Sequence, residues 1–384
     1  MTGASEGRIA IFGSLLALCS FGPFYVTPNY LLALQTAHGF SLDQLGYISG
    51  SENFLIAIAC TVAAFNVRRI GWRMVLAAAL VCAAGNFLSM FVTDFPSVLA
   101  VRALTGLLGE GPLYAMSFAM LGSAANPDRA FGIGFGAVAV GAAIFLAAEA
   151  ALDRLLGPAG VLVPYAVLAL ILGAMSTLWR EFSGTGIPVD RTTGSVRLRA
   201  GAMLASIILW SVAAGAFWAF CGTAAGVLGQ DETAVSDALA IALTIGLGGI
   251  LIPIVLGNRF GRVIPLIAST AGLILACFLF FGTSRFLQLA AVLTLFQLCW
   301  NVAAVYLPAG IAAIDSTGRY SAFSAVAQIA GMALGPALSG PILVRFGYGF
   351  MPFAAAAITL VALVLFIAGA RARDAETVGA ITAA

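Results

Sequence analysis

Residues 101–115 read VRALTGLLGEGPLYA, a stretch that sets two charges, Arg102 and Glu110, inside a long apolar run. The chain around it has 384 residues, 61% hydrophobic and 9% charged, with a mean hydropathy of +1.06. A soluble domain carries about 25% charged residues, so this composition cannot cover a water-facing surface and places the chain in a bilayer. A membrane-spanning helix needs about 20 apolar residues. Working outward from 101–115, apolar runs between charged or turn-rich breaks predict twelve spans: 9–35, 42–65, 74–93, 97–124, 130–152, 160–179, 200–228, 234–256, 263–282, 286–312, 320–344 and 349–370. The first is too long for a signal-peptide core and lacks a small-residue cleavage site, so it is read as a span. Ser41 followed by Gln44 predicts a capped start to the second.

All 18 basic residues are arginines, and they divide unequally between the loops. With the N-terminus in the cytoplasm, fourteen fall in inside loops and tails; only Arg154, Arg285 and Arg345 fall outside, and Arg102 lies within a span. The positive-inside rule therefore predicts both termini in the cytoplasm. The polar segment REFSGTGIPVDRTTGSVRLR, 180–199, falls between spans six and seven and reads as a linker. It divides an N-terminal bundle, 1–180, from a C-terminal bundle, 200–384, with 181–199 between them. One offset of 190 residues pairs Arg69 with Arg259, Gly71 with Gly261, Arg129 with Arg319 and Gly141 with Gly331, as a duplicated six-span unit would.

The loops RRIGWR (68–73, after span two) and NRFGR (258–262, after span eight), with twelve spans and a mid-chain linker, resemble the major facilitator superfamily. That family's loop has the form G-x-x-x-D-R-x-G-R-R; here Arg68 and Asn258 stand at the two Asp positions. The resemblance makes Arg69, Gly71, Arg73, Arg259, Gly261 and Arg262 the conformational loop residues and implies two pseudo-symmetric six-helix bundles. The string R-x-x-x-G-x-x-G-E-G-P, Arg102 to Pro112, is similar to span four of the anion/cation symporters and, more loosely, of Spinster-like transporters. It implies a proton-carrying role for Glu110, tuned by Arg102. GMALGPALSG, 331–340, is similar to a glycine–proline element that the family's antiporters place in span five; here it lies in span eleven.

The residues alone argue in the same direction. A charge at bilayer depth costs on the order of 2.5–3.5 kcal/mol on insertion scales, so intramembrane charges usually face a cavity or a partner. Glu110 is expected near the midplane and Arg102 nearer the outer end. In a straight helix eight residues separate them by about 80° of rotation and about 12 Å of rise, which predicts a shared face without a tight pair. Thr105, Gly106 and Gly109 lie on the Arg102 side and invite a close helix, while Pro112 disturbs the backbone beyond Glu110. Glu52, beside Asn53 in span two, is the third candidate for proton coupling; Glu149 is expected at the outer interface. The alternative is that Arg102 snorkels to the headgroups and Glu110 makes a static hydrogen bond.

No acid falls near the midplane of the second half, where the offset pairs Glu110 with Trp300 and Glu52 with Ala242. Polar and aromatic residues stand there instead: Trp218, Gln297, Trp300, Asn301 and Gln328, facing Tyr25, Asn29 and Tyr114 of the first half. Pro23 and Pro28 are expected to break span one, and broken helices often line the midplane sites of transporters. These eight are the expected substrate contacts. They suit a small organic solute, amphipathic and neutral or mono-anionic. The six cysteines all fall in apolar segments without a C-x-x-C pair, there is one histidine, and neither H-E-x-x-H nor G-x-S-x-G occurs, so no metal, cofactor or enzymatic chemistry is expected. No basic run suggests nucleic acid.

The resulting expectation is a monomeric, proton-coupled secondary transporter in a bacterial inner membrane, its partners the solute, protons and lipid. An uncoupled facilitator, a ligand sensor and a proton-driven exporter are the alternatives on the same fold, and the direction of transport is not written in the sequence.

Overall fold

The computed structural model describes residues 3–65, 71–122, 127–177, 194–256, 259–314 and 319–382, and among them the chain is helical throughout, without strands. The helices are α1 (Gly3–His38), α2 (Leu42–Phe65), α3 (Trp72–Leu88), α4 (Phe95–Thr105), α5 (Gly111–Gly122), α6 (Pro127–Ala147), α7 (Glu149–Leu156) and α8 (Val163–Ser176), then α9 (Gly194–Val227), α10 (Glu232–Gly246), α11 (Gly248–Leu256), α12 (Val263–Phe280), α13 (Phe286–Ala312), α14 (Arg319–Phe346) and α15 (Met351–Thr382). Eight stretches among the described residues are long and apolar enough to cross a membrane, and Trp72–Leu88, Gly136–Ala147 and Gly160–Ser176 are shorter apolar helices. This is an integral membrane protein. The remaining expected span, 97–124, is divided by a π-helical turn, Gly106–Glu110, between α4 and α5.

Local chemistry sets the ends. Ser41 precedes α2, and its N–H donates to Gln44 Oε1 at 3.0 Å, as expected of the cap. Asp94 caps α4 by accepting from the Ser97 N–H at 3.0 Å, with Pro96 in the first turn, so this helix begins two residues before the expected boundary. The expected fifth span, 130–152, also ends differently. Its apolar helix closes at Ala147, and the polar turn Glu149–Leu156 is a helix of its own, beyond the apolar run.

Helix starts recur in the two parts of the chain with nearly the same offset as the sequence matches: Leu42 and Glu232, Trp72 and Val263, Phe95 and Phe286. The recurrence extends to packing. Gly111 lies against Ile56 of α2, and their offset partners, Asn301 and Gly246, are also in contact, Asn301 Nδ2 donating to the Gly246 carbonyl at 2.8 Å.

Named contacts between residues 3–177 and 194–382 gather toward the end that carries the turns at 39–41, 228–231 and 347. There α2 packs along α14, with Gly46 facing Pro336 and Gly340, and Gly222 of α9 sits on Pro28 of α1. Pro28 has no N–H to give to the carbonyl four residues earlier, and that carbonyl, Phe24 O, accepts instead from Trp218 Nε1 of α9 at 3.1 Å. α1 runs through Pro23 and Pro28 without the break expected there, and the carbonyl that Pro28 leaves free becomes the acceptor for a tie across the molecule.

Candidate functional site

Arg102, Glu52 and Glu110 form one buried cluster. Arg102 Nε donates to Glu52 Oε2 at 3.0 Å and Nη2 to Glu52 Oε1, a two-point grip on the carboxylate. Nη2 also reaches Glu110 Oε1 at 3.2 Å, and Nη1 donates to Asn86 Oδ1 at 2.7 Å. The guanidinium lies over the Tyr30 ring, 5.8 Å from its centroid. Arg102 and Glu110 are each 1% exposed and Glu52 12%, so Glu52 is the least buried of the three. Glu110 Oε2 is buried with no hydrogen-bond partner among the described residues.

The contact between Arg102 and Glu110 corrects the straight-helix expectation. From Gly106 to Glu110 the backbone makes a π turn, closed by the Gly111 N–H donating to the Gly106 carbonyl. This i→i+5 bond widens the turn by one residue, removes most of the expected rotation and returns Glu110 to the Arg102 face; the long arginine side chain covers the remaining rise. Pro112 makes the bulge favourable, because it could not have donated to the Leu108 carbonyl in a regular turn.

The glycines of this segment set the distance to neighbouring helices. A Cβ at Gly106 would lie 2.6 Å from the Glu52 carbonyl oxygen, and one at Gly109 would lie 2.8 Å from the backbone of Cys82 on α3. Gly106→Val is therefore expected to push α2 away from α4 and to cost about 1–3 kcal/mol, the usual range for overpacking. Thermal unfolding of the purified variant beside wild type measures it, and an unchanged midpoint would show that the interface yields.

The expected substrate residues divide by surroundings. Tyr25, Tyr114, Trp218 and Trp300 join one buried aromatic group. Phe21 stacks on Tyr114 at 5.2 Å, Phe24 meets Trp300 at 6.0 Å, and Tyr25 meets Trp218 at 6.4 Å. This group joins α1 and α5 to α9 and α13. Gln297 is buried where α13 crosses Gly246, and Asn301 is bonded to the Gly246 carbonyl. Gln328 is partly exposed on α14. Asn29 lies elsewhere, bonded to Glu149 and Ser236. Glu149, expected at the outer interface, is 3% exposed because α1 and α10 close over the start of α7.

Of the loop residues, Arg69 lies outside the described residues. Gly71 precedes α3 with extended backbone, Arg73 lies over Trp72 at 5.5 Å, Gly261 has φ +65° and Arg262 precedes α12. Arg259 donates its N–H to the Leu256 carbonyl at 3.1 Å. All six cysteines are buried and none forms a disulfide. Asn86 was missed by the sequence reading, although an amide within the apolar run 74–93 was a usable signal.

No protein-family model matches the sequence, and no curated protein matches it. Solved structures do. The crystal structure of nucleoside transporter NupG superimposes with a TM-score of 0.74 at 15% identity, covering 95% of this chain and 98% of that one. The crystal structure of a mutant of the same transporter gives a TM-score of 0.70 at 16% identity, covering 95% and 99%. These neighbours are transporters and not enzymes, and the chain shares their fold over nearly its whole length.

Proposed function

We propose that the chain is a proton-coupled secondary transporter of the major facilitator type, moving a small organic solute by alternating access. In this reading twelve spans form two six-helix bundles, 1–180 and 200–384, joined by a cytoplasmic linker at 181–199, and each monomer encloses its own pathway. Both termini face the cytoplasm of a bacterial inner membrane. The gathered contacts near 39–41 then mark a closed outer side, and the arginine-rich loops lie at the opposite end.

The observation that carries proton coupling is the charge count of the buried cluster. One guanidinium serves two carboxylates, Glu52 and Glu110, with Glu110 Oε2 unbonded. With both acids ionised the cluster holds a net negative charge away from water, and one proton on Glu110 neutralises it. An unpaired charge in such surroundings is costly, so uptake of a proton and rearrangement of the cluster are linked. The solute contacts fall to the aromatic group, Tyr25, Tyr114, Trp218 and Trp300, with Gln297, Asn301 and Gln328 beside it. Planar rings and amides suit a flat, neutral, amphipathic molecule. A nucleoside has that chemistry, and the likeness to a nucleoside transporter makes it the first candidate.

The test is uptake of labelled uridine, followed by other neutral solutes, into proteoliposomes under an imposed proton gradient. Accumulation above the outside concentration, abolished by a protonophore, is expected. Uptake that only equilibrates would make the chain a facilitator, and binding without uptake would make it a sensor; either result overturns the coupled reading.

A further inference from the structure

A second buried carboxylate lies outside the Arg102 cluster. Glu149 opens α7, just past the apolar helix that ends at Ala147. Its Oε2 accepts from Asn29 Nδ2 of α1 and from Ser236 Oγ of α10, and Asn29 Nδ2 also donates to Ser236 Oγ. One carboxylate oxygen therefore ties together three helices drawn from both sides of the linker, at the end where the two parts of the chain meet. The acids facing it are Asp153, one turn along α7, and Glu232, one turn back on α10, and the Tyr165 phenol of α8 also senses its charge. Arg154 and Asp237 are exposed, and Asp231 is occupied in capping α10. Among the described residues Glu149 has no ion-pair partner.

We propose that Glu149 is a second proton site of the transport cycle, a latch that holds α10 against α1 and α7 while it carries its proton and releases them when it ionises. The inference rests on the alternating-access reading above. Ser236 makes the neutral latch workable. Its hydroxyl stands 2.9 Å from the Glu232 carbonyl as well as beside Glu149. When Glu149 carries a proton, Ser236 can turn to Glu232 and accept from the acid, so the hydroxyl and the protonated carboxyl both stay bonded. When α10 leaves, the O–H bond of Glu149 breaks, the proton passes to water at that end, and the carboxylate is hydrated.

Burial pushes the Glu149 carboxyl up to about 8, with the hydrogen bonds from Ser236 and Asn29 opposing the shift. The ordinary value of 4.5 applies once water reaches it. The sign follows: the closed form has the higher pKa, so acid favours it. Its advantage is complete below about 4.5 and falls about tenfold per pH unit up to about 8, the slope of one proton.

Spin labels on cysteines introduced at Leu155 and Val227 test this in the full-length chain in nanodiscs. The two positions are 80% and 70% exposed near the latch, one on each side of the linker, and the native cysteines are all buried. Pulsed-EPR distances at pH 5.5 should show one short population that yields to a longer one by pH 8.5. Glu149→Gln, which mimics the neutral acid, should hold the short population at both values. Ser236→Ala, which keeps Glu149, should raise the longer population at pH 5.5, so the proposal stays testable if the glutamine variant fails to fold. A wild-type distribution indifferent to pH, or an unchanged titration in Glu149→Gln, would overturn the latch. The two readings fail separately: distances that titrate without proton-driven accumulation leave a pH gate on an uncoupled carrier, and accumulation without a titrating distance removes the latch alone.

Discussion

Arg102→Met is expected to destabilise the protein by about 3–5 kcal/mol, the range for deleting one partner of a buried ion pair. The substitution leaves Glu52 and Glu110 facing each other without their shared cation and strips Asn86 Oδ1 of its donor. Loss of packing over Tyr30 adds to the effect. The competing view treats the cluster as ordinary polar contacts between helices, which average about 0.6 kcal/mol each in a membrane protein and reach about 1.7. A double-mutant cycle with Glu52→Gln separates the two. If arginine and glutamate are ionised and paired, Arg102→Met combined with Glu52→Gln recovers much of the loss, and the interaction energy exceeds about 2 kcal/mol. Additive losses would reduce the cluster to unlinked contacts. Arg102→Lys is expected to fall between, since it keeps the charge and loses the two-point grip. Reversible unfolding in mixed micelles reads wild type, the three variants of the cycle and Arg102→Lys, and the lysine variant preserves the comparison if the methionine variant does not accumulate.

The part of this architecture legible in the sequence was the part written in composition and periodic breaks. Apolar runs placed the helices, and the 190-residue offset between the arginine–glycine loops matches the nearly equal offset between helix starts. The buried charges were legible as a set, because Arg102, Glu52 and Glu110 are too costly in a bilayer to be incidental. Their geometry was not. Ideal helix arithmetic placed Arg102 and Glu110 apart, and only the π turn at Gly106–Glu110 brings them to 3.2 Å. Pro112 signalled a disturbance without specifying an extra residue in the turn. The burial of Glu149, expected near the outer surface, was not legible for a related reason: it comes from Asn29 and Ser236, residues 120 and 87 positions away, and no local pattern encodes that meeting. Asn29 was expected among the substrate contacts, but its neighbours in space, Glu149 and Ser236, make it a tie between helices and not a wall of the aromatic group.

Glu110→Gln should abolish proton-driven accumulation while sparing solute exchange, and the contrast between those two assays makes it the sharper test of the proposed function. Glutamine preserves the shape of the side chain and an oxygen for Arg102 Nη2, so the 3.2 Å contact can persist. The cluster that remains is one guanidinium with one carboxylate, Glu52, already neutral without a proton. A coupled carrier whose proton rides on Glu110 would then move solute in both directions with no proton obligation. Counterflow in preloaded proteoliposomes should retain most of the wild-type rate, and concentration against a gradient should disappear whichever way the pH step is imposed. Glu52→Gln is expected to differ, because it removes the carboxylate gripped at two points and leaves Arg102 held by Glu110 through one oxygen; slower exchange as well as lost accumulation should follow. If Glu110→Gln accumulates solute as wild type does while Glu52→Gln does not, the proton rides on the more exposed Glu52 and Glu110 serves as the fixed counter-charge of Arg102. Loss of both exchange and accumulation in Glu110→Gln, with the protein still folded, would place Glu110 in solute binding.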